Sequence, residues 1–132
     1  MNRTTLIIYW LARLVAALIM VQTLYFKFTG ADESIYIFKT VGMEPWGRIG
    51  VGVLELIASV LLLIPATAWL GAGLALGLMV GAIGMHITLL GIEVNGDHGQ
   101  LIIYAVIVTV ASVFVLLQNK EKLMSLLRRK AV

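Results

Sequence analysis

Four long apolar runs divide the chain, at about residues 5–26, 46–64, 69–90 and 100–117, with short polar breaks between them. Each is close to the roughly 20 residues that a helix needs to cross the hydrocarbon of a bilayer. The pattern predicts an all-α integral membrane four-helix bundle, a single membrane domain over residues 1–132. Between the first two spans, Ile35, Phe38 and Val41 recur at a spacing of three. That spacing predicts a short interfacial helix within residues 30–42. Asp32 suits its N-cap, Glu33 its first turn and Gly42 its C-terminal stop. Pro45 suits the first turn of the second span, and Trp46 a membrane–water interface. Residues 91–99 read as a turn carrying Glu93, Asp97 and His98. The tail, residues 118–132, is basic and amphipathic, with Leu123, Leu126 and Leu127 on its apolar side, and is expected on the membrane surface.

The exceptions to the apolar pattern carry the chemistry. Glu55 lies inside the run over residues 50–65, and no Asp, Glu, Lys or Arg follows it until Glu93. A charged group near the bilayer centre costs roughly 2.5–3.5 kcal/mol on insertion scales. It must therefore face the bundle and find a partner, or take up a proton. Gly52, Ala58 and Ser59, three and four residues away, leave room beside it. In the first span Arg13, Ala17, Met20, Leu24 and Lys27 share one face, with Gln22 opposite Arg13. Arg13, Lys27 and His86 are all candidate partners for Glu55; Arg13 could equally snorkel to headgroups. In the third span Gly73, Gly77 and Gly81 form a ridge suited to close helix packing, within the protomer or along a dimer seam. His86 projects well away from that ridge, so the span is expected to pack on its glycines and present His86 elsewhere.

Basic residues set the expected orientation. Four spans place both termini on one side, with Arg3, Lys120, Lys122, Arg128, Arg129 and Lys130, against Lys27, Lys39 and Arg48 on the other. The positive-inside rule puts the termini in the cytoplasm of a bacterial-type membrane. Gln22, Lys27, Glu55, His86, Asp97, Gln100 and Tyr104 then fall in the outer half, and Arg13 alone in the inner half.

Composition narrows the chemistry. Of 132 residues, 61% are hydrophobic and 13% charged, with a mean hydropathy of +1.00. A soluble domain carries roughly twice that charge. The net charge of +3 is concentrated at the C-terminus, which suits an anionic membrane surface rather than nucleic acid. The first apolar run is too long for a signal peptide and has no small-residue cleavage site, so it reads as a retained span. Without cysteine, thiolate metal sites and iron–sulfur clusters are excluded. Glu55, His86 and Asp97 offer metal-ligand types without a diagnostic spacing, and His86 with His98 is the one histidine pair available to a haem. Neither is the preferred reading.

The segment from Lys27 through Pro65 resembles the DoxX-like family of small membrane proteins. The residues that carry the resemblance are Lys27, Gly30, Gly52, Glu55, Leu56, Leu61, Leu62, Leu63 and Pro65, with the glycine-rich third span beyond them. The family takes its name from a subunit associated with a terminal quinol oxidase, and relatives are grouped with thiosulfate–quinone oxidoreductase subunits and oxidative-stress complexes. The resemblance implies a four-helix bundle and a link to membrane redox chemistry or quinones.

Together these readings predict a quinone or similar small apolar ligand in a polar intramembrane pocket. Glu55 and His86 would meet its head, Gln22 or Tyr104 would orient it, Lys27 would stand at the mouth, and Gln100 is a further ligand-binding candidate. Any role in electron transfer then requires a bound cofactor or a redox partner protein. The alternative is a non-enzymatic accessory subunit or assembly factor, in which the polar cluster only stabilises the fold and the glycine ridge binds another span. A transporter is disfavoured, because no broken helix or internal repeat is visible.

Overall fold

A computed structural model describes residues 1–94 and 96–131; Asn95, in the predicted turn, and Val132, at the end of the predicted tail, lie outside the described residues, as do the side chains of residues 129–131. Among the described residues six α-helices follow in order: α1 (Arg3–Thr29), α2 (Asp32–Thr40), α3 (Trp46–Leu63), α4 (Ala68–Met85), α5 (Gln100–Gln118) and α6 (Lys120–Ala131). A single 3₁₀ turn, Pro65–Thr67, joins α3 to α4, and a π-helical turn, His86–Leu90, extends α4. The four predicted spans are present as helices long and apolar enough to cross a membrane: α1, α3, Pro65–Leu90 and α5. This is an integral membrane helical bundle.

Local signals explain the helix ends. Asn2 caps α1 by accepting from Thr5 N at 2.8 Å, and Gly30, at φ +69°, ends it in the left-handed region. The predicted cap of α2 needs correction. The helix begins at Asp32 itself, and Ala31 occupies the cap position without a side-chain bond. Asp32 and Glu33 act instead as first-turn charges on the positive end of the helix dipole. Gly42 does end this helix, at φ +78°. Met43 N donates to Phe38 O and Gly42 N to Lys39 O, the paired bonds of a Schellman stop.

The spans form a four-membered ring in which α1 and α4 each pack on both α3 and α5. Asn119 Nδ2 donates to Tyr9 Oη at 3.0 Å, tying the end of α5 to the start of α1 and defining a terminal end of the bundle. At the opposite, distal end α2 lies against α1, α3 and the π turn. Leu, Ile and Val side chains cover the exterior, as Leu18, Val80 and Val110 illustrate. The interior is lined by small residues, including Ala16, Ala58, Ala68, Ala72, Ala75 and Ala105. In lipid the apolar exterior provides no drive to associate, so close packing of small residues holds the helices together.

The packed face of α4 differs from the expected one. Gly73, Gly77 and Gly81 are exposed, and a Cβ at any of them would meet nothing within 4 Å. The buried stripe is Ala68, Ala72, Ala75 and Met79, and it continues to His86, so the imidazole shares the packed side. The intramolecular close approach is made by Gly71: a Cβ there would lie 2.6 Å from Leu62 N and 2.8 Å from Ala58 O on α3. Alanine and glycine are both small enough for tight crossings, so the fit to α3 and α5, not glycine content, sets the rotation of α4.

Candidate functional site

The site begins with how α1 and α3 meet. They run antiparallel, so Glu55 stands level with the last two turns of α1, and Leu62, seven residues or about 10 Å further on, stands level with Arg13. Glu55, 3% exposed, pairs with Lys27: Nζ lies 2.8 Å from Oε1. Lys27 Nζ also donates to Thr23 Oγ1 at 3.0 Å. The Thr23 hydroxyl lies 2.8 Å from Met20 O and 3.5 Å from Glu55 Oε2, so its stronger bond is to the backbone. The Lys27–Glu55 contact is close, yet off the alignment of a well-formed hydrogen bond, which leaves Oε1 directional capacity for another donor. Small neighbours on α3 serve this corner. A Cβ at Gly52 would strike the Phe28 ring at 2.8 Å, so the glycine admits that ring beside α3.

Arg13 is a correction. It is 1% exposed and forms no ion pair with Glu55. Nε donates to Leu62 O at 2.6 Å, in the last turn of α3, and the guanidinium lies 4.0 Å from the Trp10 ring centroid and 5.3 Å from that of Tyr9. It neither snorkels nor neutralises the carboxylate. It satisfies an end carbonyl of α3, where the helix dipole favours a cation.

His86 is 6% exposed, at the first residue of the π turn. Its Nδ1 lies 2.8 Å from Ala82 O. A carbonyl oxygen only accepts, so Nδ1 carries a proton that it donates to Ala82 O. Nε2 is buried and has no hydrogen-bond partner among the described residues. A buried polar atom left unpaired costs about 1–3 kcal/mol.

His86 borders one cavity. A space of about 500 Å³ in the distal half of the bundle is lined by Gln22, Lys27, Glu55, His86, Gln100 and Tyr104, among mostly apolar neighbours such as Ile19, Phe26, Leu78 and Met85. All six candidate ligand-binding residues named from the sequence therefore border a single volume. Ser34 and Phe38 of α2 close its distal end. Gln100 Nε2 donates to Tyr104 Oη at 2.7 Å, leaving the phenol its own proton to give. Phe26 and Gln22 on α1, and Gly77 and Gly81 on α4, are exposed members of the lining, so the cavity reaches the lipid-facing surface. Lys27 is drawn inward to Glu55 rather than standing free at a mouth.

Other candidates stand apart. Asp97 lies outside the cavity lining and holds the turn before α5. Its carboxylate accepts from Val94 N, Gly99 N and Leu101 N at 3.0, 2.9 and 3.1 Å. Burial alone would raise its pKa; these backbone donors, helped by the nearby His86, outweigh burial and hold it below the ordinary value of 3.8. His98 is 93% exposed on its side chain and lies 3.8 Å from Glu93, so it does not face His86. Among the described residues no three His, Cys, Asp or Glu side chains gather in a metal-binding group, so Glu55, His86 and Asp97 do not form one.

Two contributors escaped the sequence reading. Thr23 bridges Lys27 and the carboxylate, and its spacing of four before Lys27 was the available signal. Arg48 binds both carboxylate oxygens of Glu44 at 3.0 Å and also Lys27 O, so it locks the end of α1 to the start of α3. The Glu44–Arg48 spacing of four would have suggested the first of these contacts.

A four-span bundle with a polar-headed, apolar-walled cavity defines a small polytopic membrane protein with room for an amphiphile. The DoxX family model matches residues 8–89, and the chain belongs to the DoxX family. No curated protein and no solved structure matches it.

Proposed function

We propose that the chain binds a quinone, or a similar small apolar ligand, in its distal cavity as part of a membrane redox system. The observation that carries this reading is the convergence of Gln22, Lys27, Glu55, His86, Gln100 and Tyr104 on one apolar-walled space of about 500 Å³. Pockets that hold small molecules are commonly of about 300–1,000 Å³, mostly apolar, with a few converging polar groups. Among the lining groups, Gln100 and Tyr104 form a hydrogen-bonded polar pair suited to a polar ring head. A bound quinone would supply the two-electron, two-proton carrier that the side chains lack. The protein's part is to desolvate the ring, offer its oxygens donors from Tyr104 and Lys27 with Glu55 and His86 beside the head, and leave its chain in lipid. The excess of basic residues at the terminal end supports placing both termini in the cytoplasm of a bacterial-type membrane, with the cavity in the outer half. The chain acts as one membrane domain over residues 1–132.

The test is quinone binding by the purified protein in detergent. Wild type should bind, and Glu55→Gln with His86→Ala should lose most of the affinity; equal binding by both proteins refutes this site.

The outward position of Gly73, Gly77 and Gly81 favours a second reading, an accessory subunit or assembly factor that docks a partner span, or a second copy of the chain, on that ridge. On that reading Gly77→Leu abolishes complex formation in co-purification, whereas Glu55→Gln changes only thermal stability.

A further inference from the structure

The terminal end of the bundle carries a surface of a different kind. Helix α5 has 19 residues, about 28 Å at the ordinary helical rise and close to the thickness of the hydrocarbon core. Its last residue, Gln118, therefore lies near the hydrocarbon boundary. Asn119, at φ −109° and ψ 16°, breaks the helix there, and α6 starts at the next residue. Lys122 holds the first turn of α6 at that level. Its Nζ donates to Ala66 O, in the turn between α3 and α4, at 3.2 Å, and lies 5.6 Å from the centroid of the Trp69 ring. So α6 begins at the depth of the headgroups rather than in the solution beyond them.

The bundle also leaves this helix uncovered. At about 100° per residue Leu123, Met124, Leu126 and Leu127 fall on one side, with Glu121, Lys122, Ser125 and Arg128 on the other. On the apolar side Met124 is 50% exposed and Leu127 67%. Lys120, Lys122 and Arg128 are exposed as well, and Glu121 is the carboxylate that opposes them within the helix. Lys120 and Lys122 border an open notch of about 410 Å³ at the Asn119 bend, wide enough for a headgroup. A bare apolar side this close to the hydrocarbon draws a helix into the interface, and the cations beside it then meet phosphate.

We propose that α6 is a docking surface for anionic phospholipid, with Met124 and Leu127 seated among acyl chains and Lys120, Lys122 and Arg128 on headgroup phosphates. The surface lies at the end opposite the distal cavity and is independent of what that cavity binds. Lipid fits it better than an acidic protein does, because the exposed cations and the exposed apolar side chains occupy one short helix held at headgroup depth by Lys122. Each basic residue so placed favours docking on an anionic surface about fivefold at low salt. The attraction fades within a Debye length, about 10 Å at 0.1 M salt and about 3 Å at 1 M.

The chain has no cysteine, so Met124→Cys gives a unique attachment point for an environment-sensitive fluorophore on the apolar side of α6. The labelled whole chain is reconstituted into vesicles of phosphatidylcholine alone or with phosphatidylglycerol added, and quenching by uncharged acrylamide is read. Phosphatidylglycerol should shield the label and shift its emission to the blue, and about 1 M salt should reverse both. Arg128→Gln should lower the ratio of docked to free helix about fivefold, and Glu121→Gln, which removes the opposing charge, should raise it. Opposite signs from two exposed positions separate docking from any loss of helix. Equal shielding in the two bilayers at low salt overturns the proposal in favour of an apolar anchor indifferent to charge. A label open to acrylamide in both overturns it in favour of a face left free for a protein partner.

Discussion

Removing the Lys27 ammonium while leaving Glu55 in place is the sharpest test of how the bundle tolerates its buried carboxylate. At 2.8 Å the pair has a gross attraction of about 6 kcal/mol for an effective dielectric constant of about 20. Much of this offsets the desolvation of the two groups, so the net contribution of the pair is far smaller. Truncating one partner differs from deleting both. In Lys27→Met, Glu55 keeps only the 3.5 Å Thr23 contact in a 3% exposed position. Orphaning a buried charge costs about 3–5 kcal/mol. Glu55 is 3% exposed, so little solvent reaches the stranded charge and the full range applies. Adding Glu55→Gln removes the stranded charge and should restore about 2 kcal/mol of the loss. Reversible unfolding in mixed micelles of detergent and dodecyl sulfate, run as a double-mutant cycle, reads these differences. A loss below about 1 kcal/mol in Lys27→Met, or additive single changes, would mean that the ion pair does not hold Glu55 in the bundle.

Three further outcomes follow from the packing and the loops. Gly71→Ala should destabilise by about 1–3 kcal/mol, because its Cβ meets the α3 backbone, whereas Gly73→Ala, facing open space, should be neutral or stabilise by up to about 1 kcal/mol; thermal unfolding in detergent that ranks them the other way would reverse the assignment of the α4 face. Arg13→Met should cost about 2–4 kcal/mol, for the lost charged bond to Leu62 O and the two ring contacts, and Arg13→Lys should recover only part; an unchanged midpoint for the Met variant would remove its role at the end of α3. Asp97 has a lowered pKa, so its stabilising effect is complete above the unfolded value of 3.8 and disappears as pH falls through the lower folded value. Asp97→Asn should therefore be less stable at neutral pH and converge on wild type in strong acid; a gap between the two that persists undiminished at low pH would contradict the capping role.

Much of this protein could be read before any coordinates. Four spans, a short amphipathic helix and a basic tail follow from periodicity and span length, since a bilayer admits few alternatives. The same constraint makes each polar residue within a span expensive and so conspicuous. That is why Gln22, Lys27, Glu55, His86, Gln100 and Tyr104 could be nominated together, by depth, before their shared cavity was seen. Depth is counted along one axis at a fixed rise per residue, so it survives ignorance of packing. The same count already set Arg13 apart in the other half.

Rotation about each helix axis was a different matter. The fourth helix is apolar all round, so no polarity pattern distinguishes its alanine stripe from its glycine stripe. Contact of Gly71 with Ala58 and Leu62 decides it, and that decision carries His86 into the bundle. Tertiary structure also chose the carboxylate's partner, because Lys27 reaches Glu55 only when α1 and α3 adopt their observed register. It set the imidazole Nδ1 to donate to Ala82 O, which no pattern of residues records. Span count and depth are properties of the chain in a bilayer; facing, pairing and protonation belong to helices once they have packed.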